Sequence, residues 1–232
     1  MGTPSRFPNG ITNNKSGPLR DLTALDPTQL HVFFDDFMET FNATPWTITT
    51  VEAGSGSATE AVGDTQFGEL VITNDDADND SDFIFWDTST FLLGSGKKAW
   101  FKSRFKVSDA TQSDFVMGLQ ANDATPLDTT QGVFFRSDDG DANIDFMVEK
   151  DNAGTEEAAV TTMADDTYVE LAWYYNGKDA IEVWKDNVKV FTQTDLSRLP
   201  DGNTIGVSFG IQNGEAAAKV MTVDYIYVAV ER

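Results

Sequence analysis

Cysteine is absent from this sequence and histidine occurs once, at His31. Without thiolates there is no disulfide framework, and one imidazole cannot assemble a histidine-based zinc cluster. Basic residues are scarce as well: 16 Lys and Arg against 38 Asp and Glu give a formal charge of −22. Such a surface repels a phosphate backbone, so no nucleic-acid partner is expected. Long apolar runs are missing, and Pro4, Pro8 and Pro18 interrupt the start, where a secretory signal needs an apolar stretch. A soluble chain without a membrane partner is expected. There is no G-x-S-x-G turn for a serine nucleophile, which leaves His31 as a structural residue. The glycines Gly54, Gly56 and Gly63 lack the Lys-Ser/Thr of a phosphate loop.

What the chain has is aromatic surface: 17 Phe, 5 Trp and 5 Tyr in 232 residues, enough for one large core. Residues 1–30 are set apart, because Pro4, Pro8, Pro18 and Pro27 with Gly2, Gly10 and Gly17 oppose both helix and central strand. This segment is expected to be an extended arm, either a plain tail or a docking strap. As a strap, its apolar anchors are Phe7, Ile11 and Leu19, and its charges are Arg6, Lys15 and Arg20, with no carboxylate before Asp21.

Residues 31–232 change character, to short β-branched and aromatic runs separated by Gly, Asp and Asn. That spacing predicts an all-β, two-sheet antiparallel sandwich. Expected strands lie at 32–37, 46–51, 69–73, 83–86, 98–107, 114–122, 131–136, 144–150, 168–176, 180–185, 188–192, 205–212 and 220–230. Asp139-Gly140, Asn176-Gly177 and Asp201-Gly202 suit turns with positive φ, and Lys185-Asp186-Asn187-Val188 reads as a tight hairpin. Along 100–107 the alternation puts Phe101, Phe105 and Val107 on a core face and Lys102, Arg104 and Lys106 on the other. That basic stripe either meets a partner or neutralises acidic neighbours across the sheet.

Several residue groups are candidates for chemistry. The run Asn74–Asp82 holds Asp75, Asp76, Asp78, Asp80 and Asp82, hard oxygen ligands of the kind calcium takes, although it does not match an EF-hand loop. A hydrated acidic loop is the competing reading, and the same two apply to Ser137–Asp141. Trp86, Trp100, Trp173 and Trp184 are either a glycan platform or core.

The opening Phe33-Phe34-Asp35-Asp36-Phe37, the closing Val223–Val228, the segment Tyr168–Gly177 and the Ile181–Asp186 hairpin together resemble the concanavalin-like and laminin-G-like jelly rolls. Some enzymes of that fold, the laminarinase-type hydrolases, carry E-x-D-x-x-E. In the nearest segment here, Asn143–Glu149, Asn143 replaces the first Glu and Val148 the last, so no catalysis and no enzyme is expected. With Arg6–Ile11 and the stretch Phe101–Asp139, the whole chain resembles tailed-phage virion proteins. That resemblance implies a capsid decoration or cement subunit, a homotrimer bound to a major capsid protein on the virion surface and assembled in a bacterial cytoplasm. The alternative is a lectin-like carbohydrate-binding module or adhesin, with a glycan as partner.

Overall fold

The computed structural model describes residues 29–232 apart from 40, 43, 64–67 and 88–89. The arm residues Arg6, Phe7, Ile11, Lys15, Leu19 and Arg20 lie outside the described residues. Fifteen strands are present among the described residues: β1 (Leu30–Asp35), β2 (Trp46–Val51), β3 (Thr59–Val62), β4 (Leu70–Thr73), β5 (Ser81–Trp86), β6 (Ala99–Val107), β7 (Ser113–Gln120), β8 (Gly132–Ser137), β9 (Asn143–Glu149), β10 (Gly154–Thr162), β11 (Val169–Tyr175), β12 (Ile181–Lys185), β13 (Val188–Gln193), β14 (Gly206–Asn213) and β15 (Val220–Glu231).

They form two antiparallel sheets, as the alternation predicts. One has seven strands in the order β10-β9-β8-β7-β14-β5-β2. The other runs β13-β12-β11-β6-β15-β4-β3, and β1 also pairs with β15. Distant segments are neighbours at the centre of each sheet: β14 lies between β7 and β5, and β15 between β6 and β4. The result is the expected jelly-roll sandwich, and the opening strand does pair with the closing one, Phe34 opposite Tyr227.

Two strands went unanticipated. β3 has only four residues, and β10, Gly154–Thr162, is mostly polar or exposed, so neither carries an apolar alternation for the sequence to reveal. Both are edge strands that gain their order from one neighbour, β3 from β4 and β10 from β9. The turns divide. Gly140 and Gly177 take positive φ, and Asp186 (φ 48°) and Asn187 (φ 64°) close the β12–β13 hairpin as a type I′ turn would. Gly202 is not among the positive-φ glycines, so the expectation for Asp201-Gly202 is corrected.

The core lies between the sheets. Phe101 stacks on Trp173 at 5.9 Å, Phe105 meets Phe115 edge-on at 5.1 Å, and Phe135 packs on Phe146 at 5.3 Å. Phe101 and Trp173 are register partners on β6 and β11, so the alternation that buries one buries the other.

Candidate functional site

Two places on the molecule gather chemistry, at opposite ends of the β2–β5 ladder. At one end, Trp46 starts β2 and Trp86 ends β5, directly opposite each other. Their rings meet edge-on at 4.8 Å, and Phe33 and Phe41 close around them. Beyond them β1 stops. The Asp35 carboxylate accepts the Phe37 N–H at 2.8 Å, Phe37 turns left-handed at φ 51°, and the chain swings across the sandwich end. Gly68 packs against this bend at φ +72°, and a Cβ there would strike the backbone of residues 36–38.

The bend encloses a cavity of about 700 Å³. Its walls are Phe34, Phe41, Trp46 and Trp86, and its polar groups are Asp35, Asp36, Glu39 and Asn42. Phe34 and Met38 stand 56% and 65% exposed at its rim. Burial raises the Asp35 carboxyl above the usual carboxylate range, an effect the Phe37 N–H partly offsets. Aromatic walls with a few convergent carboxylates and an amide suit a polyhydroxylated ligand: the rings cover apolar C–H faces and the polar groups take hydroxyls.

At the other end lies an acidic pocket. Carboxylate oxygens of Glu52, Asp75 and Asp80 all come within 4.8 Å of one another. Two of the predicted calcium residues, Asp75 and Asp80, are therefore brought together, by a third that sequence spacing did not suggest. Asp76 and Asp78 are exposed and stand outside this group. Asp82 points between the sheets, fully buried, where Thr50 donates to its Oδ1 at 2.6 Å. Burial, and after it the Glu60 carboxyl at hydrogen-bonding position, push Asp82 up to about 8.

The basic stripe is answered by its own sheet. Lys102 pairs with Glu170 at 2.8 Å and Arg104 with Asp224 at 2.5 Å, while Arg104 and Lys106 also lie over the Tyr168 ring. Cross-strand neutralisation therefore accounts for Lys102 and Arg104. Of the four tryptophans considered, Trp173 is core, Trp100 is 3% exposed and Trp184 packs half-buried against the cluster that holds Trp100, whereas Trp86 lines the aromatic cavity. Trp46, which the sequence reading passed over, lines it too; a signal was available in its position at the head of an alternating strand close to the Phe-rich opening. His31 packs its ring on Phe91 at 5.1 Å, a structural role.

On the outer face of the seven-stranded sheet, Asp145 and Glu149 share a side of β9 with Met147, which packs on Phe83, Val116 and Phe134. Asp145 accepts the Ala159 N–H at 2.7 Å, and burial raises Glu149. Along this face Asp114 is 9% exposed, and burial with the nearby Asp139 and Asp138 charges raises it to about 7.

No protein-family model matches this sequence, and no curated protein does either. Solved structures do share its architecture. The Bacteroides ovatus mixed-linkage-glucan GH16 protein, in complex with a G4G4G3G product, superposes with a TM-score of 0.61 at 13% identity over 84% of this chain and 99% of that one. The endo-1,3-β-glucanase of Streptomyces sioyaensis gives 0.58 at 15% identity over 89% and 98%. The potassium-bound carbohydrate recognition domain of Emp46p gives 0.58 at 12% over 84% and 94%. At such identities the likeness is one of fold, and it establishes the jelly roll. It also corrects the expectation that this is not an enzyme, since two of these neighbours are glucanases and the shared architecture is one that carries glycan hydrolysis. These relatives accord with the lectin-like alternative of the sequence reading, and the virion assignment has no counterpart among the three.

Proposed function

We propose that this chain recognises a carbohydrate polymer through the cavity walled by Phe34, Phe41, Trp46 and Trp86. The observation that carries the reading is the composition of that one cavity: aromatic walls and three carboxylates with an amide, in a space of about 700 Å³ that accommodates a few sugar rings. The fold neighbours, which their descriptions connect with glucans or carbohydrate recognition, support the same ligand class. Glucans are accordingly the first ligands to try.

A glycan array followed by calorimetry with the bound oligosaccharide tests it. Phe34→Ala removes an exposed ring, so the fold is expected to survive while affinity falls at least about tenfold, the loss of roughly 1.4 kcal/mol of stacking. Trp86→Ala is expected to lose more. If no glycan binds at millimolar concentration, or if both variants bind like the parent, the cavity is not the site. Assays for newly released reducing ends on the same samples decide whether binding leads to turnover.

A further inference from the structure

We propose that the segment 1–28 of this chain docks on the outer face of its own sandwich, over Trp100, Tyr174, Trp184 and Tyr227, and keeps that face dry. Because Phe101 points into the core, its neighbours Trp100 and Lys102 point away from it. Register carries both positions across five strands. One row runs Val32, Ala229, Trp100, Tyr174, Glu182, and the next runs Phe34, Tyr227, Lys102, Ala172, Trp184.

This outer face is covered. Trp100 is 3% exposed and Tyr174 9%, and with Ala172 and Ala229 they form a buried cluster of their own, separate from the core between the sheets. The described apolar side chains packed on that cluster are Leu30, Val32, Trp184 and Tyr227, all from strands of the same sheet, so none of them lies above it as a second layer. Phe34, in the row beside Tyr227, shows what an uncovered ring looks like here, at 56% exposed. The polar tips agree. Trp184 Nε1 and Tyr227 Oη are both buried without a hydrogen-bond partner, although on an open sheet face water would reach them. Burial pushes the Tyr227 hydroxyl up to about 12.

Position, length and charge select the occupant. The Gln29 carbonyl accepts the Arg232 N–H at 2.9 Å, which fixes the point where segment 1–28 joins the domain. Leu30, the next residue, already packs on the cluster, so the segment joins at the rim of the covered patch. From β1 to β12 the patch spans four strand spacings, about 19 Å. Leu22 lies seven residues before Gln29 and so reaches about 23 Å, and Leu19 reaches farther, which puts both within range of every ring in the two rows. Arg6, Lys15 and Arg20, with no carboxylate before Asp21, are attracted to a chain that stands at −22 overall.

A second copy fits less well. Three side-chain rows across these strands cover about 19 Å by 14 Å, roughly 270 Å², against about 800 Å² per partner in a stable complex. A tethered segment needs no such area, because its effective concentration is of millimolar order. A glycan platform is also excluded for these rings, since stacking needs an accessible face and Trp100 offers none.

The test uses the full chain at two concentrations, followed by sedimentation, thermal melting and acrylamide quenching of tryptophan emission. The parent is expected to be a monomer whose quenching does not change on dilution. Leu19→Asp with Leu22→Asp should increase quenching and lower the Tm by roughly 5–10 °C, the loss expected for two buried leucines. The increase in quenching should vanish when Trp100→Phe and Trp184→Phe are added, which assigns it to this face. Both leucines precede the strands, so the sandwich itself is left intact, and Leu22→Ala should shift quenching and Tm in the same direction by a smaller amount. Parental quenching and Tm in the Asp variant would overturn the proposal. So would a parent dimer whose quenching rises on dilution, because a second copy or its segment would then be the cover.

Discussion

Trp173→Ala is expected to lower the free energy of unfolding by about 3–5 kcal/mol, the range for deleting a large aromatic side chain from a packed core. Trp173 is fully buried at the middle of β11, stacked on Phe101 of the neighbouring β6. A cavity there touches both strands and the facing sheet, and close-packed surroundings collapse only partly. The residue also permits a sharper comparison. Its indole Nε1 is buried without an acceptor, so Trp173→Phe forfeits ring area but also removes an unsatisfied N–H. The Phe variant should therefore lose no more than about half of what the Ala variant loses, within the usual spread for core substitutions. Urea unfolding followed by tryptophan fluorescence and circular dichroism measures both. An Ala variant within about 1 kcal/mol of the parent would contradict the central position assigned to this ring.

The second large effect concerns pH. An aspartyl carboxyl in an unfolded chain titrates near 4. In the folded protein Asp114 keeps its proton up to about 7, because burial and the adjacent Asp139 and Asp138 charges oppose ionisation. Between those two values the native state binds the proton that the unfolded state has lost. Stability therefore falls as pH rises through this window and levels off above it. The full gap would correspond to about 4 kcal/mol at most. Asp114→Asn removes the ionisation while keeping the shape, so it should flatten the fall between about pH 4 and 7 and leave the variant more stable than the parent at pH 8. Asp82, raised in the same direction, should leave the variant some residual slope. Parent and variant melting curves that shift identically with pH would show that Asp114 ionises freely in the folded protein.

How the functional residues are reached explains why some were legible and others not. The stripe Lys102, Arg104, Lys106 is local alternation on one strand, and its partners Glu170 and Asp224 sit on β11 and β15, the strands that flank β6. A sequence shows the stripe but only register shows who answers it. The acidic run 74–82 was visible as a ligand source, yet a run does not say which carboxylates converge. Antiparallel pairing of β2 with β5 brings the end of one to the start of the other, and so sets Glu52, from outside the run, beside Asp80 while Asp76 and Asp78 face water. The aromatic cavity follows from the same ladder, which puts Trp46 opposite Trp86 across a separation of 40 residues.

Local pattern along the chain specifies what depends on neighbouring residues: an all-β sandwich from period-two alternation, the hairpin at Asp186-Asn187, and the inward face of β6. Composition alone excludes cysteine chemistry and sets a strongly negative charge. What depends on strands far apart in sequence is settled in the folded sandwich. The ordering of the edge strands β3 and β10, the pairing of the basic stripe and the membership of the acidic pocket all require a register between segments that no local pattern encodes. Backbone hydrogen bonding makes any two strands pairable, and burial of the whole sandwich core selects one pairing over the rest.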